Sequence, residues 1–422
     1  MANSSVSYRA LLAKRGFVGL LLAVCVSRLS SGLLPFGLTA LFVQGDRYLS
    51  AGIVSVCFMF ATSATAPWRG RYIDRHSARR ALPRFALISI ACVAGGFAVL
   101  HLSHAKLIGA ALVTVGAALT PLNSVVLRSI WSRIASDEGE RQALHAMDSL
   151  LEEGIYVLTP LLVSAIWALV GPDWAILLAG ISIGGGTFLL FRFARYAGAT
   201  VGAVLDETHD VPAGSADSKR RTRRLLVFTQ PGLALAVPMF GFSLTMGVGS
   251  IAYAAWSSAH YTASLTGVFA SLGSAGGLVG GLVYGKLRMS NPMASKLYLA
   301  MPAFVGLCTL PMLWTTSAAV ACCVAFVAGL VMTPMFIAAF VRVPLTFDKA
   351  YFNEANASIG ATYNVGSGLG SLLAGALVQR GLLHAAFGCS VLVPVVAASV
   401  AFLLSRRFDG RPAAMGAPES SH

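Results

Sequence analysis

The chain has 422 residues, of which 56% are hydrophobic and only 11% are charged, and its formal net charge is +14. Soluble domains carry about 25% charged residues, so this composition excludes an ordinary water-soluble protein and indicates an integral membrane protein. The excess of Lys and Arg does not indicate a nucleic-acid partner, because it lies in short loops between apolar segments and not on one folded surface. The seven cysteines lie inside apolar segments and show no disulfide or metal-ligand pattern.

The apolar segments, taken in chain order, predict an all-α membrane protein. A helix needs about 20 apolar residues to cross the hydrocarbon core, and the first segment shows no small-residue cleavage site, so we expect it to be retained. The chain then contains 12 transmembrane helices, with predicted bounds 17–43, 49–67, 84–102, 107–132, 143–170, 174–194, 225–254, 261–283, 297–315, 318–340, 355–378 and 384–405.

The distribution of Lys and Arg predicts the orientation. With both termini inside, Arg47, Lys106 and Arg380 lie in outer loops and Arg28 lies within a span, which leaves 31 − 3 − 1 = 27 at or near the inner face. Loops rich in Lys and Arg stay on the cytoplasmic side. We therefore expect a multi-pass protein of the plasma membrane with both termini in the cytoplasm.

The loop between the second and third spans carries a basic motif. Gly70 precedes Asp74 by four residues, and Arg75 and the pair Arg79 and Arg80 follow. The pattern G-x-x-x-D-R-x-x-x-R-R resembles the signature loop of major facilitator superfamily transporters, which usually have Gly where this chain has Ser77.

The resemblance implies a conformational role for this loop. Asp74 would accept hydrogen bonds at the start of the eleventh helix, near 353–355, where the helix dipole favours an anion. Arg75, Arg79 and Arg80 would pair with inner-face carboxylates or lipid phosphates. Arg128, at the inner end of span four, is a candidate partner of Asp74. The motif would govern switching between conformations and would not select the substrate.

The longest loop, 196–224, separates two sets of six spans. It becomes acidic at positions that include Asp206 and Glu207, and it ends in the basic run KRRTRR. We predict a solvated linker whose basic end contacts anionic lipid, with a regulatory site as the alternative. The predicted domains are an N-terminal six-helix bundle at 1–195, the cytoplasmic linker at 196–224, a C-terminal six-helix bundle at 225–405 and a cytoplasmic tail at 406–422.

The two halves match each other at a nearly constant offset. Residues 70–75 match 281–286, residues 116–121 match 329–334, and residues 160–162 match 371–373, at offsets of 211, 213 and 211. A repeat that is six spans long preserves orientation, so it predicts two parallel six-helix bundles, as in the major facilitator fold, with a binding site near the midplane between them.

Charged side chains within the spans are the candidates for the functional site, because charges inside the bilayer are costly. Arg28 follows Arg15 by 13 residues, and Glu152 and Glu153 follow Arg141 by 11 and 12. At 1.5 Å per residue, all three lie at a similar depth. The facilitator resemblance implies that the first and fifth helices are neighbours, so that an Arg28–carboxylate pair is geometrically feasible.

Such a pair predicts either proton coupling or a static ion pair. A low dielectric favours the protonated carboxylic acid, and a nearby arginine favours the carboxylate, so a movement that separates them would capture or release a proton. Glu152 and Glu153 point about 100° apart, and the sequence does not favour one over the other. Asp148 is predicted to lie nearer the cytoplasm and to be solvated.

The repeat maps Glu152 and Glu153 onto Tyr363 and Asn364, which are polar and uncharged. We therefore expect the first half to carry the charge chemistry and Tyr363 and Asn364 to contribute substrate contacts. Further candidate lining residues, each of which more often serves plain packing, are Gln230, Met332, Met335 and Phe336.

Two decoys are rejected. The segment 280–286, GGLVYGK, nearly fits a phosphate-binding loop, but Leu287 replaces the required hydroxyl residue and no strand precedes it. The eight histidines show no paired ligand spacing. We expect no enzymatic activity, no cofactor and no bound metal.

The segments SRLSSGLLPFG (27–37) and LLEEGIYVLTPLL (150–162) resemble those of actinobacterial efflux carriers. This resemblance implies a monomeric, proton-coupled exporter of a small amphipathic compound, with that compound, protons and membrane lipids as partners. A proton symporter or uniporter for nutrient uptake and a non-transporting membrane receptor are the alternatives.

Overall fold

The computed structural model describes residues 16–135, 138–196, 198–207, 229–287, 291–347 and 352–408. These residues are almost entirely helical. In chain order the helices are α1 (Phe17–Val43), α2 (Tyr48–His76), α3 (Ala78–Leu102), α4 (Lys106–Ala118), α5 (Asn123–Ile134), α6 (Glu138–Leu169), α7 (Asp173–Ala194), α8 (Ala199–Asp206), α9 (Gln230–His260), α10 (Thr266–Lys286), α11 (Asn291–Thr309), α12 (Ala318–Gly329), α13 (Met332–Thr346), α14 (Phe352–Gln379) and α15 (Leu383–Phe408).

These helices confirm the predicted membrane architecture. Among the described residues, eleven helical segments are long and apolar enough to cross a membrane. The remaining predicted span corresponds to α14, which has 28 residues and carries glycines and polar residues along much of its length. Its composition is explained by its place in the fold, because α14 packs between the two halves and not only against lipid.

The fourth and tenth spans are each broken into two helices. Span four consists of α4 and α5, with residues 119–122 between them, and span ten consists of α12 and α13, with residues 330–331 between them. The breaks fall in the repeated segments that contain Pro121 and Pro334. Proline cannot donate a backbone hydrogen bond, so the matched prolines explain why both halves interrupt the same span.

A buried arginine from α2 stabilises the backbone at the break in span four. The Arg69 guanidinium donates to the backbone oxygen of Thr120 at 2.6 Å and to its hydroxyl at 3.0 Å. It also donates to the backbone oxygen of Thr62 at 3.2 Å. A cation is stabilised by the carbonyl groups that a helix end leaves unpaired. Arg69 stands in a basic segment whose composition is typical of a surface loop, so this contact could not be predicted from the sequence.

The two halves meet along two seams. Helix α2 packs against α14, and α6 packs against α10. We name the side of the bundle at which the described chain begins and ends the terminal face, and the opposite side the far face. Near the far face a Cβ added to Gly52 would lie 2.6 Å from the oxygen of Ser371, and the Ser164 hydroxyl donates to the oxygen of Ser264 at 2.5 Å. The seams are closed there.

Three of the same four helices carry an open position in their terminal half. A Cβ added to Gly70 on α2, Gly285 on α10 or Gly360 on α14 would meet no described atom within 4 Å. The close contacts between the halves therefore lie near the far face, and these three positions toward the terminal face are open.

The prediction of a solvated linker is wrong for the beginning of that linker. Residues Ala199–Asp206 form helix α8, whose Val201 and Leu205 are buried against the N-terminal half. Two ion pairs fix its end, Arg79–Asp206 at 2.8 Å and Arg133–Glu207 at 2.5 Å. The acidic residues that suggested a solvated loop instead find arginines on the bundle surface. The rest of the linker and the tail lie outside the described residues.

Ser77 joins α2 to α3 in a backbone conformation that is unfavourable for its residue type. Its φ is 62° and its ψ is 149°, a region that glycine adopts far more readily than residues with a Cβ. The same residue begins α3, because its carbonyl accepts from the Ala81 amide at 3.0 Å. The turn therefore forms with serine, at a steric cost that glycine would not carry.

The substitution Ser77→Gly should therefore stabilise the protein by about 1 kcal/mol, because it removes this steric cost. The expected result is a higher unfolding temperature of the purified protein in detergent. Ser317→Gly is the matched control, because Ser317 precedes α12 with a φ of −85° and gains nothing from glycine. A Ser77→Gly protein that unfolds at or below the wild-type temperature would contradict the prediction.

Candidate functional site

A buried ion pair joins the first and fifth spans. The Arg28 guanidinium on α1 donates to Asp148 on α6 through two bonds, Nη1 to Oδ1 at 3.0 Å and Nη2 to Oδ2 at 2.8 Å. Nη1 also donates to the backbone oxygen of Asp148 at 3.0 Å. The two side chains are 6% and 2% exposed. Paired bonds of this kind are among the strongest that a guanidinium forms with a carboxylate.

A second arginine and a second carboxylate complete a network of four charges. Arg128 on α5 donates from Nε to Asp148 Oδ2 at 3.1 Å and from Nη2 to Glu152 Oε2 at 2.6 Å. Arg28 Nη2 lies 3.3 Å from the same Glu152 oxygen. We call Arg28, Arg128, Asp148 and Glu152 the ion network. Its formal charges cancel, which lowers the cost of placing four charges among membrane helices.

The spacing of the carboxylates explains the geometry of this network. Asp148 and Glu152 are four residues apart, so they lie one turn apart on one face of α6. That face packs against α1, which places both beside Arg28. Residue counting alone had placed Asp148 near the solvent. That prediction is wrong, because α1 and α5 cover Asp148 and leave it 1% exposed.

Arg128 was predicted to pair with Asp74. In the structure it pairs with Asp148 and Glu152 of α6. The break between α4 and α5 redirects the second half of span four, and Arg128 then faces α6. Pro121 indicates a break in span four, but the position of a proline does not give the direction of the helix that follows.

Glu153 faces away from the ion network and toward the second half. The Thr333 hydroxyl on α13 donates to Glu153 Oε1 at 3.3 Å. No Lys, Arg or His of the described residues forms a salt bridge with Glu153 within 4.0 Å. The structure therefore assigns the two adjacent glutamates different surroundings, with Glu152 in the ion network and Glu153 at the interface.

The repeat-related residues Tyr363 and Asn364 also lie at the interface. The Asn364 side-chain amide donates to the hydroxyl of Ser63 on α2, in the other half. The Tyr363 ring packs on Phe336 with a centroid separation of 5.0 Å. Of the further lining candidates, Phe336 thus lies beside the site, Met335 is fully buried in the core, and the side chain of Gln230 lies outside the described residues.

The signature loop lies at the terminal face. Gly70, Asp74 and Arg75 belong to the last turns of α2, and Arg79 and Arg80 belong to the first turn of α3. Arg79 pairs with Asp206 of α8 at the terminal face. The side chains at 353 and 354 lie outside the described residues, so the docking of Asp74 on the eleventh span stays a prediction.

Comparison with known proteins gives a family and a fold. A family model described as the Major Facilitator Superfamily matches residues 20–351. A structure of a bacterial homologue of the iron transporter ferroportin in the inward-facing state is similar at 15% identity and a TM-score of 0.69, over 93% of this chain and 98% of that chain.

Two further structures share the fold. A mutant form of the peptide transporter POT is 13% identical with a TM-score of 0.70, over 96% of this chain and 99% of its own. The nucleoside transporter NupG is 12% identical with a TM-score of 0.66, over 93% and 99%. No curated protein matches the chain.

The substitution Asp148→Asn should destabilise the protein by about 3–5 kcal/mol, because it leaves the buried guanidinium of Arg28 without its bidentate carboxylate. Glu152→Gln should cost clearly less, since Glu152 is 31% exposed. The measurement is thermal unfolding of the purified variants in detergent. The double variant Arg28→Met/Asp148→Leu should recover part of the loss, and equal unfolding temperatures for Asp148→Asn and Glu152→Gln would contradict the assignment.

Proposed function

Because this chain belongs to the Major Facilitator Superfamily, and is therefore a membrane transport protein and not an enzyme, we propose that it is a secondary active carrier that exports a small amphipathic compound in exchange for protons. The terminal face is the cytoplasmic face of the plasma membrane in this proposal, in accordance with the distribution of Lys and Arg. The carrier works by alternating access, as a monomer.

The observation that carries the proposal is the position of Glu153. It is a carboxylate within a membrane span, it lies at the interface between the halves, and its described polar contact is the Thr333 hydroxyl. A carboxylate in such surroundings is stabilised by binding a proton or a cation.

Alternating access has a physical basis in the two seams. In the structure the close contacts of α2–α14 and α6–α10 lie near the far face, whereas a Cβ at Gly70, Gly285 or Gly360 toward the terminal face would meet no described atom within 4 Å. Rocking of the halves about the midplane would close the terminal side and open the far side. Glu153–Thr333 and Asn364–Ser63 lie between these regions, so both hydrogen bonds would change during the movement.

The ion network supplies a rigid support for this movement. It joins α1, α5 and α6 within the first half, so these helices would move together. Arg28 and Glu152 would also hold Glu153 at a fixed depth, because Glu153 is the next residue on α6.

The main alternative is proton-coupled uptake of a nutrient. It is favoured by the likeness in fold to a peptide transporter and a nucleoside transporter. Uptake and export use the same inter-bundle site, and they differ in the relative direction of proton and cargo. A vesicle experiment therefore separates them.

The proposal predicts proton–cargo exchange that depends on Glu153. In everted vesicles with a preset acidic interior, a compound selected by a resistance screen should release the pH gradient when wild-type protein is present. Glu153→Gln should reduce this release about tenfold or more, because the variant can neither bind nor release the proton.

Glu207→Gln is the matched control for this assay, because Glu207 is a carboxylate on the surface of the same half, paired with Arg133. It should retain wild-type exchange. Full exchange by Glu153→Gln, or proton movement in the same direction as the compound, would contradict proton-coupled export through Glu153.

A further inference from the structure

We propose that Glu153 and the three rings of Tyr156, Phe336 and Tyr363 form a binding site for an organic monocation, which is the cargo. The inference rests on the proposed function in that it treats the inter-bundle site as the transport site. It goes beyond that function by assigning the charge and the chemical class of the compound.

The first argument is a connected set of side-chain neighbours. Glu153 and Tyr156 are three residues apart and therefore share a face of α6. The ring of Tyr363 is 5.0 Å from that of Phe336, and Phe336 is three residues from Thr333 on α13. Thr333 returns to Glu153 through the 3.3 Å hydrogen bond.

These five residues come from both halves of the protein. Glu153 and Tyr156 belong to α6, Thr333 and Phe336 to α13, and Tyr363 to α14. A ligand bound among them would contact both bundles at once. Such contacts are required of a transport site, because cargo binding must influence the relative position of the two halves.

The second argument is the charge balance. The ion network has two arginines and two carboxylates, whose charges cancel. Glu153 then contributes one negative charge that no described cation within 4.0 Å neutralises. A monocation would restore neutrality, whereas a neutral compound would leave the carboxylate with no opposite charge and an anion would be repelled.

The third argument is the type of side chain around the carboxylate. Aromatic faces attract cations, including quaternary ammonium groups that cannot donate hydrogen bonds. The chain uses this contact elsewhere, since the guanidinium of Arg342 lies 5.2 Å from the ring centre of Tyr298. At the interface the rings of Tyr156 and Phe336 each lie one turn from a member of the Glu153–Thr333 pair, so a cation bound to Glu153 would lie beside aromatic side chains.

The site is also accessible in the conformation that the structure shows. Gly360 lies one turn before Tyr363 and Asn364 on α14, on the side toward the terminal face. A methyl group at this glycine would meet no described atom within 4 Å. A small cation can therefore reach Glu153 from the terminal face, whereas the closed seams block the far face.

A pair of ions with the same shape and opposite charge tests the assignment. Tetraphenylphosphonium and tetraphenylborate are titrated against the purified full-length protein in detergent by calorimetry, with triphenylphosphine oxide as the neutral probe. Wild-type protein should bind the phosphonium at least about tenfold more tightly than the other two, because only a cation compensates Glu153.

Substitutions then locate the binding. Glu153→Gln should weaken phosphonium binding about tenfold or more, and Tyr363→Leu should weaken it about threefold to tenfold. Glu207→Gln and Tyr196→Leu are the controls, since Tyr196 already has Arg192 over its ring at 4.5 Å. Both should bind as wild type does.

Three results would overturn the inference: no phosphonium binding by wild type, equal binding of the borate or the neutral probe, and unchanged binding in Glu153→Gln. The outcome is separable from that of the proposed function. Phosphonium binding without proton exchange in vesicles would support the cation site and contradict proton-coupled export. Exchange of a neutral compound without phosphonium binding would support transport and overturn the cationic cargo.

Discussion

The bidentate pair between Arg28 and Asp148 is the contact on which the arrangement of the site depends. It fixes α1 against α6 among membrane helices, where an unpaired charge would be strongly unfavourable. Arg128 and Glu152 extend the pair and neutralise it. Since all four charges belong to the first half, this half forms one rigid unit that presents Glu153 to the second half.

The second half contributes hydroxyl and aromatic groups to the same region. Thr333 and Phe336 lie on α13, whose start is set by the break in span ten, and Tyr363 lies on the less apolar helix α14. The repeat thus supplies matching scaffolds with different chemistry: charges on one side, and polar and aromatic surface on the other. A ligand between them would contact both, and the closed far-face seams leave the terminal face as its entrance.

Much of the fold could be predicted from the sequence, because span length and loop charge follow directly from bilayer thickness and the cost of moving cations. The depth of Arg28 and the glutamates also followed from helix rise alone. The burial of Asp148 and the partners of Arg128 did not, because they depend on which faces of α1, α5 and α6 meet. The contact of Arg69 with Thr120 could not be predicted for a similar reason, because only the folded chain brings the two residues together. Acidic residues at 206 and 207 suggested a solvated loop, but Arg79 of α3 and Arg133 of α5 pair with them.

The central claim is that Glu153, and not a member of the ion network, is the carboxyl group that exchanges its proton at the interface. Infrared difference spectroscopy of a pH titration in lipid measures this directly, because a protonated carboxylic acid and a carboxylate absorb at separate frequencies. The account predicts one titrating carboxyl band that is absent in Glu153→Gln and retained in Glu152→Gln. A band that persists in Glu153→Gln and disappears in Glu152→Gln would contradict it.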